Sequence, residues 1–432
     1  MNKVAPRTYL LAVLLVVLAF NSVDRVAMGL LLQDIKAALR LSDTQLGILS
    51  GIAFALFYAT MGIPIARWAD RGNRVIIIAV TTALWSLMVA LCGFAASFGQ
   101  LVLIRIGVAV GEAGCVPPAH SLIADFFSRA ERPRAIAIYM LGGPLSMVIG
   151  YFIAGWLNEL FGWRATFVML GLPGLALACV VWRTLQEPRR ITARAALGRT
   201  ARHEPASQET PSVANVGLGK VCATLWRSIT LRHLLLCNAV ICFFTYGIMQ
   251  WQPAFFIRSY GVKTGELGTW FAVIYGLGGM LGTYLGGEWA SRRAANREAL
   301  QLRALALVIA AFGVLSFGIY LAPNLPVALG LLGVATVGAY TFNGPLFATI
   351  QTLVPDHMRA TSIALFYLFA NLVGMGLGPS AAGVLSDVFR PRAGEESLRY
   401  ALLCLCPGYF WSAWHLWRAS TSVARDLEGG GH

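Results

Sequence analysis

Apolar runs of about twenty residues follow one another from near the first residue to near the last, separated by short polar loops. A helix of that length crosses the roughly 30 Å hydrocarbon core of a bilayer. No water is available in that core, so every backbone polar group must find its partner within the protein. A chain built of such runs is therefore an all-α membrane protein. The alternating ten-residue segments of a membrane β-barrel do not occur. The 432 residues are 57% hydrophobic and only 12% charged, whereas soluble domains are about a quarter charged.

Twelve spans are expected, near residues 9–32, 43–66, 74–96, 100–126, 133–157, 163–185, 230–257, 266–290, 301–321, 325–353, 358–387 and 398–418. The run Tyr9–Phe20 follows Lys3 and Arg7 as in a signal peptide. No small-residue cleavage site comes before Asp24 and the apolar pattern resumes to Leu32, so the run reads as a retained span. The sequence divides into a first bundle at 1–185, a basic linker at 186–229 and a second bundle at 230–418. A tail follows at 419–432, and a short amphipathic helix is expected at Val213–Leu225 in the linker.

The net charge of +14 does not signal nucleic acid. Its arginines sit in short loops: Arg67, Arg71 and Arg74; Arg129, Arg132 and Arg134; Arg292, Arg293 and Arg297. These loops and the linker fall on one side, which puts both termini in the cytoplasm. The loop Phe389–Arg399 breaks the pattern with three arginines on the other side, partly balanced by Glu395 and Glu396. Short loops point to a bacterial inner membrane, and the expected assembly is a monomer in the bilayer. The eight cysteines lie almost all in apolar runs with no C-x-x-C pair, so no metal or cofactor is expected. No P-loop, H-E-x-x-H or G-x-S-x-G motif is found, which argues against an enzyme.

The chain repeats itself. Trp68-Ala69-Asp70-Arg71 after span two returns as Trp289-Ala290-Ser291-Arg292 after span eight. GWLNELF (Gly155–Phe161) in span five is answered by GVLSDVF (Gly383–Phe389) in span eleven. Two six-helix halves related by parallel duplication place a substrate site near the midplane between them.

Charges inside spans are costly and mark function. Asp24 and Arg25 interrupt span one, and Arg105 and Glu112 lie seven residues apart in span four. Seven helical steps return to the same face two turns on. Counted from the span ends, Asp24 falls between Arg105 and Glu112 in depth. Adjacent residues diverge by about 100°, so Asp24 is expected to reach Arg105 while Arg25 serves substrate or Glu112. Desolvation favours a neutral carboxyl and a nearby guanidinium favours a charged one. A carboxyl held between the two can take and release a proton. Asp24 is the favoured carrier, with Glu112 as second acid and Arg105 as partner.

Candidate substrate contacts are Arg25, Asn21, Phe54 and Tyr58 in the first half. In the second half they are Tyr246, Gln250, Trp251, Asn343, Tyr367 and Asn371. Aromatics with a few amides suit a ligand with a large apolar body. Asp70 and Arg71, with the pairs Gly143-Pro144 and Gly378-Pro379, are candidate gating positions.

GIPIARWADRGNR (Gly62–Arg74) resembles the loop signature of the major facilitator superfamily. Asn21-x-x-Asp24-Arg25, the Arg105…Gly111-Glu112-Ala113 stretch, Asp125-Phe126-Phe127 and GWRATFVMLGLPGLALA (Gly162–Ala178) before Glu187-Pro188 resemble its Spinster family. That resemblance implies two six-helix bundles around a central cavity. It also implies alternating-access transport of a lysolipid- or sphingolipid-like amphiphile or amphipathic drug, with proton coupling in some members. A proton-coupled symporter of organic anions such as sugar acids is the alternative; a sensor or scramblase would lack coupled transport.

Overall fold

The computed structural model describes residues 7–128, 131–188, 218–294, 297–355 and 358–429, and every element among them is helical. Nine helical stretches among these residues are long and apolar enough to cross a membrane. Two of them, Arg134–Thr184 and Thr361–Leu427, run to 51 and 67 residues, more than one crossing needs.

The first half opens with α1 (Arg7–Leu39), which continues past the expected end at 32 because the polar residues Gln33, Asp34 and Lys36 find partners instead of ending it. Next come α2 (Asp43–Ser50) and α3 (Ile52–Arg71), which form span two with a break at Gly51, and then α4 (Arg74–Cys92). Span four is not one helix. It divides into α5 (Phe98–Glu112) and α6 (Val116–Phe126). Pro117 and Pro118 explain the division: they open α6 readily but cannot donate backbone hydrogen bonds to the turn before. The short α7 (Arg132–Met140) leads into α8 (Gly142–Thr184). Gly162 lies inside α8 with φ 79° and divides it into two passes; a left-handed backbone suits glycine.

Helix α9 (Leu218–Arg227) buries Val221 and Leu225 and packs on α10 (Ile229–Tyr260). The first five residues of the amphipathic segment expected at Val213–Leu225 lie outside the described residues, as does the basic middle of the linker. The second half continues through α11 (Thr264–Arg293), α12 (Glu298–Leu321), α13 (Leu325–Tyr340) and α14 (Asn343–Leu353). Span eleven is composite: α15 (Arg359–Phe369), a π-helical stretch at Ala370–Leu377, and α16 (Gly378–Ala393).

Helices α17 (Ser397–Leu405) and α18 (Pro407–Gly429) close the chain. The helix runs past residue 418, where a tail was expected. Asp426 holds this extension by accepting hydrogen bonds from Ser228 Oγ at 2.7 Å and Thr230 N at 2.9 Å.

The halves meet along a seam in which α1 packs on α10, α2 on α16, and α8 on α11. At the end that carries the α1–α2 turn, the seam is closed by polar contacts. Asp43 accepts from Arg258 Nη2 at 2.6 Å and Nη1 at 2.8 Å, from Ser386 Oγ at 2.6 Å and from Lys36 Nζ at 2.6 Å. Asp387 accepts from the backbone N–H groups of Asp43 (3.1 Å) and Thr44 (2.7 Å), capping α2 from the opposite half. Glu159 repeats that arrangement, accepting from Gly265 N at 2.9 Å and so capping α11. Glu159 and Asp387 occupy matching places in the duplicated GWLNELF and GVLSDVF segments. The duplication thus supplies two related clasps, each an acid at a helix N-terminus where the dipole favours it.

Candidate functional site: a charge cluster beside a central cavity

Helix α1 carries Asp24 and Arg25 on diverging faces. Asp24 points at α5, where Arg105 Nη1 donates to its Oδ2 at 2.5 Å. Arg25 points towards the seam, with Nε 3.2 Å from Glu112 Oε2 and Nη2 donating to Ser22 Oγ at 2.8 Å. Glu112 is the last residue of α5, placed by the break before the Pro117-Pro118 pair. The cluster is buried: side-chain exposure is 2% for Asp24, 1% for Arg105 and 0% for Glu112, against 28% for Arg25. Arg25 is therefore the member best placed to meet a ligand. Its guanidinium also lies 5.5 Å from the Phe54 ring and 5.8 Å from the Tyr58 ring, and Arg105 lies 5.0 Å from Phe54.

With both carboxyls ionised, the two acids and two guanidiniums sum to zero, the least costly fully charged arrangement in a low-dielectric interior. Among the described residues no N–H or O–H donor of ordinary geometry reaches Asp24 Oδ1 or the two oxygens of Glu112, and the Asp24 and Glu112 carboxyls come within hydrogen-bonding reach of each other. Buried polar atoms left this way are uncommon and call for an explanation.

Arg25 opens on a cavity of about 310 Å³ lined also by Ser22, Ser50, Phe54, Gly143, Pro144, Tyr246, Gln250, Met375 and Pro379. Met147, Tyr246, Met249, Tyr275 and Tyr340 continue its wall into a second, mostly apolar cavity of about 240 Å³, lined apart from Met147 by the second half. The fixed charges lie at one end of this space, and methionine and phenol rings line the other.

Of the expected substrate contacts, Arg25, Phe54, Tyr246 and Gln250 line the first cavity. Asn21 is buried behind the cluster, its Nδ2 3.5 Å from the Glu112 carbonyl. Tyr58 lies under Arg25, stacked on Phe54. Trp251 does not reach the cavity: it is fully buried and donates from Nε1 to Pro379 O at 2.9 Å. Its neighbour Gln250 points the other way round α10. Tyr367 stacks on Phe347, and neither it nor Asn371 lines the two cavities. The Asn343 and Asp70 side chains lie outside the described residues, and Arg71 is exposed. Gly143, Pro144 and Pro379 border the cavity, and Gly378 packs against Phe243 and Gly247 of α10.

The sequence reading missed Met147, Met249, Met375, Tyr151 and Tyr340, because a methionine or tyrosine in an apolar span carries no mark of the face it takes. It also missed the seam cluster of Lys36, Asp43 and Arg258, whose charges sit near span ends where solvated charges are usual.

A bundle of spanning helices in two duplicated halves, with buried charge beside a cavity on their seam, is the architecture of a membrane transporter. The family model of the Major Facilitator Superfamily matches residues 13–379, and the chain belongs to that superfamily. It is 32% identical to an MFS-type efflux pump of Mycolicibacterium smegmatis, covering 96% of this chain and 93% of the relative. A probable L-galactonate transporter of Escherichia coli is 24% identical over 89% of this chain and 83% of its own. The crystal structure of a bacterial homologue of the human lysosomal transporter Spinster, inward-facing and unoccupied, matches with a TM-score of 0.84. It is 29% identical, with 97% of this chain and 98% of that one covered. The likeness to the Spinster family thus holds across the whole chain, beyond the first-half motifs that suggested it.

Proposed function

We propose that the protein is a proton-coupled transporter of an amphiphile, one with a charged or strongly polar head and an apolar body. The carrying observation is the polarity of the cavity. Arg25 stands at one end, paired with an acid whose oxygens have spare hydrogen-bonding capacity, and a methionine- and tyrosine-lined extension leads away from it. A lysolipid fits this division.

The charge balance supplies a coupling rule. A proton taken up at Asp24 or Glu112 leaves the cluster one positive charge in excess, and an anionic head against Arg25 restores neutrality. Each event lowers the cost of the other, which is positive thermodynamic coupling. Asp24 is the carrier in this reading, because its release from Arg105 would free a second guanidinium toward the same cavity.

The clasps at the Asp43 end close that side of the seam. With basic loops placed in the cytoplasm, that end faces outward. The conformation is then inward-facing, as in the Spinster homologue. Both termini lie on the cytoplasmic side of a bacterial inner membrane in this reading.

The second reading is an organic-anion symporter, favoured by Arg25 in the cavity and by the sugar-acid relative. Proteoliposome uptake of radiolabelled lysophospholipid and of L-galactonate, each with and without a pH gradient, decides between them. Gradient-driven lysophospholipid uptake supports the proposal; gradient-driven uptake of galactonate alone replaces it with the second reading.

A further inference from the structure

The closed end of the seam carries a recess outside the clasp. Lys36 and Arg40 from the first half and Asp387 and Arg390 from the second line it, together with Gln33 and Ser42. Asp387 gives both of its oxygens to the N-terminus of α2, and Lys36 is shared with Asp43. Arg390 has one exposed partner, Glu395, at 3.2 Å. Among the described residues Arg40 forms no ion pair within 4.0 Å, and its side chain lies in the exposed wall of the recess. Three cations thus border one open pocket whose only carboxylate among the described residues is already committed.

Arg40 shows a second peculiarity. It follows the last residue of α1 with φ 52°, the one non-glycine residue of positive φ among those described. That position ends the helix through Leu41 N donating to Lys36 O at 3.2 Å, and helices commonly place glycine there. A long side chain in this conformation is strained, and such strain is found where the side chain does something. Glycine would keep the turn and lose only the guanidinium.

We infer that this recess is a binding site for a phosphate-type oxyanion, held by Lys36, Arg40 and Arg390. Arginine forks match such oxygens in pairs. Because Lys36 and Arg40 belong to one half and Arg390 to the other, a bound oxyanion bridges the closed seam and stabilises this conformation over one in which the halves part. The phosphate can come from solution or from a lipid headgroup. The site lies away from the central cavity and is independent of what that cavity carries.

Thermal unfolding of the purified protein, in inorganic phosphate against chloride at matched ionic strength, tests the inference. Wild type is expected to gain about 2 °C in phosphate. Arg40→Gly and Arg390→Gln should lose most of that gain, while Arg40→Gly in chloride unfolds no earlier than wild type, since the strain is relieved. A parallel series in nanodiscs with and without phosphatidylglycerol separates the sources. Stabilisation by the lipid alone, abolished in both variants, assigns the site to headgroups; stabilisation by both assigns it to phosphate in general. Absence of any gain in wild type, or a gain that both variants keep in full, overturns the inference.

Discussion

At the scale of single residues, the Asp24–Arg105 pair shows why charge inside a span is informative. Each charge would be costly alone in lipid, so each needs a partner, and helical geometry narrows the choice from the sequence alone. Breaking a buried pair by removing one member typically costs about 3–5 kcal/mol, because the other charge stays buried and uncompensated. Arg105→Gln should therefore lower the unfolding temperature sharply, whereas the double change Arg105→Gln with Asp24→Asn should recover most of the loss. Failure of the double variant to recover would show that the pair is not the unit of stability.

Arg25 belongs to a different case. It is partly open to the cavity, so Arg25→Lys, which keeps a cation opposite buried Glu112 but loses the planar fork, should fold and instead lose much of the ligand-induced thermal stabilisation. Trp251 marks the limit of residue-scale reading. An aromatic beside a cavity-lining glutamine looked equally suitable, but the side of α10 that faces Pro379 is fixed by packing that a single sequence does not display.

At the scale of elements, the apolar runs located the helices, while their interruptions were less legible. The break between α5 and α6 follows from Pro117-Pro118 and could have been read. The π-helical stretch at Ala370–Leu377 could not, since nothing in its sequence distinguishes it from α-helix beyond its glycines. The duplicated segments GWLNELF and GVLSDVF were visible as a repeat, but their role was not. Only in three dimensions do Glu159 and Asp387 prove to cap helices of the opposite half.

Losing an N-terminal cap costs roughly 0.5–2 kcal/mol, and here the loss falls on one conformation. Asp387→Ala should therefore increase maleimide labelling of a cysteine placed at Ser380, in a background without native cysteines; Ser380 Oγ donates to Gly47 O at 3.1 Å on the closed seam. Unchanged labelling would remove Asp387 from the clasp. Close approach there is equally demanding. A methyl group at Gly47 would come within 2.6 Å of Pro379 O. Gly47→Ala should accordingly destabilise the closed seam by about 1–3 kcal/mol, the usual range for overpacking, seen as an earlier unfolding transition.

At the scale of the whole molecule, a buried charge cluster lies beside an amphipathic cavity on a seam closed at one end. Helix length, duplication and the positions of the charges carried most of the architecture. The cavity's apolar extension and the clasps came only with tertiary packing. We propose that a proton on the cluster and a ligand in the cavity bind together, with Asp24 as carrier. The most direct test is pH-gradient-driven lysophospholipid uptake by proteoliposomes containing wild type or Asp24→Asn, with an uncoupler as control. Wild-type uptake should rise with the gradient and fall to the uncoupled rate with the uncoupler; Asp24→Asn should run at that uncoupled rate at every gradient while still being thermally stabilised by the ligand. A gradient response in Asp24→Asn equal to wild type would contradict coupling through Asp24.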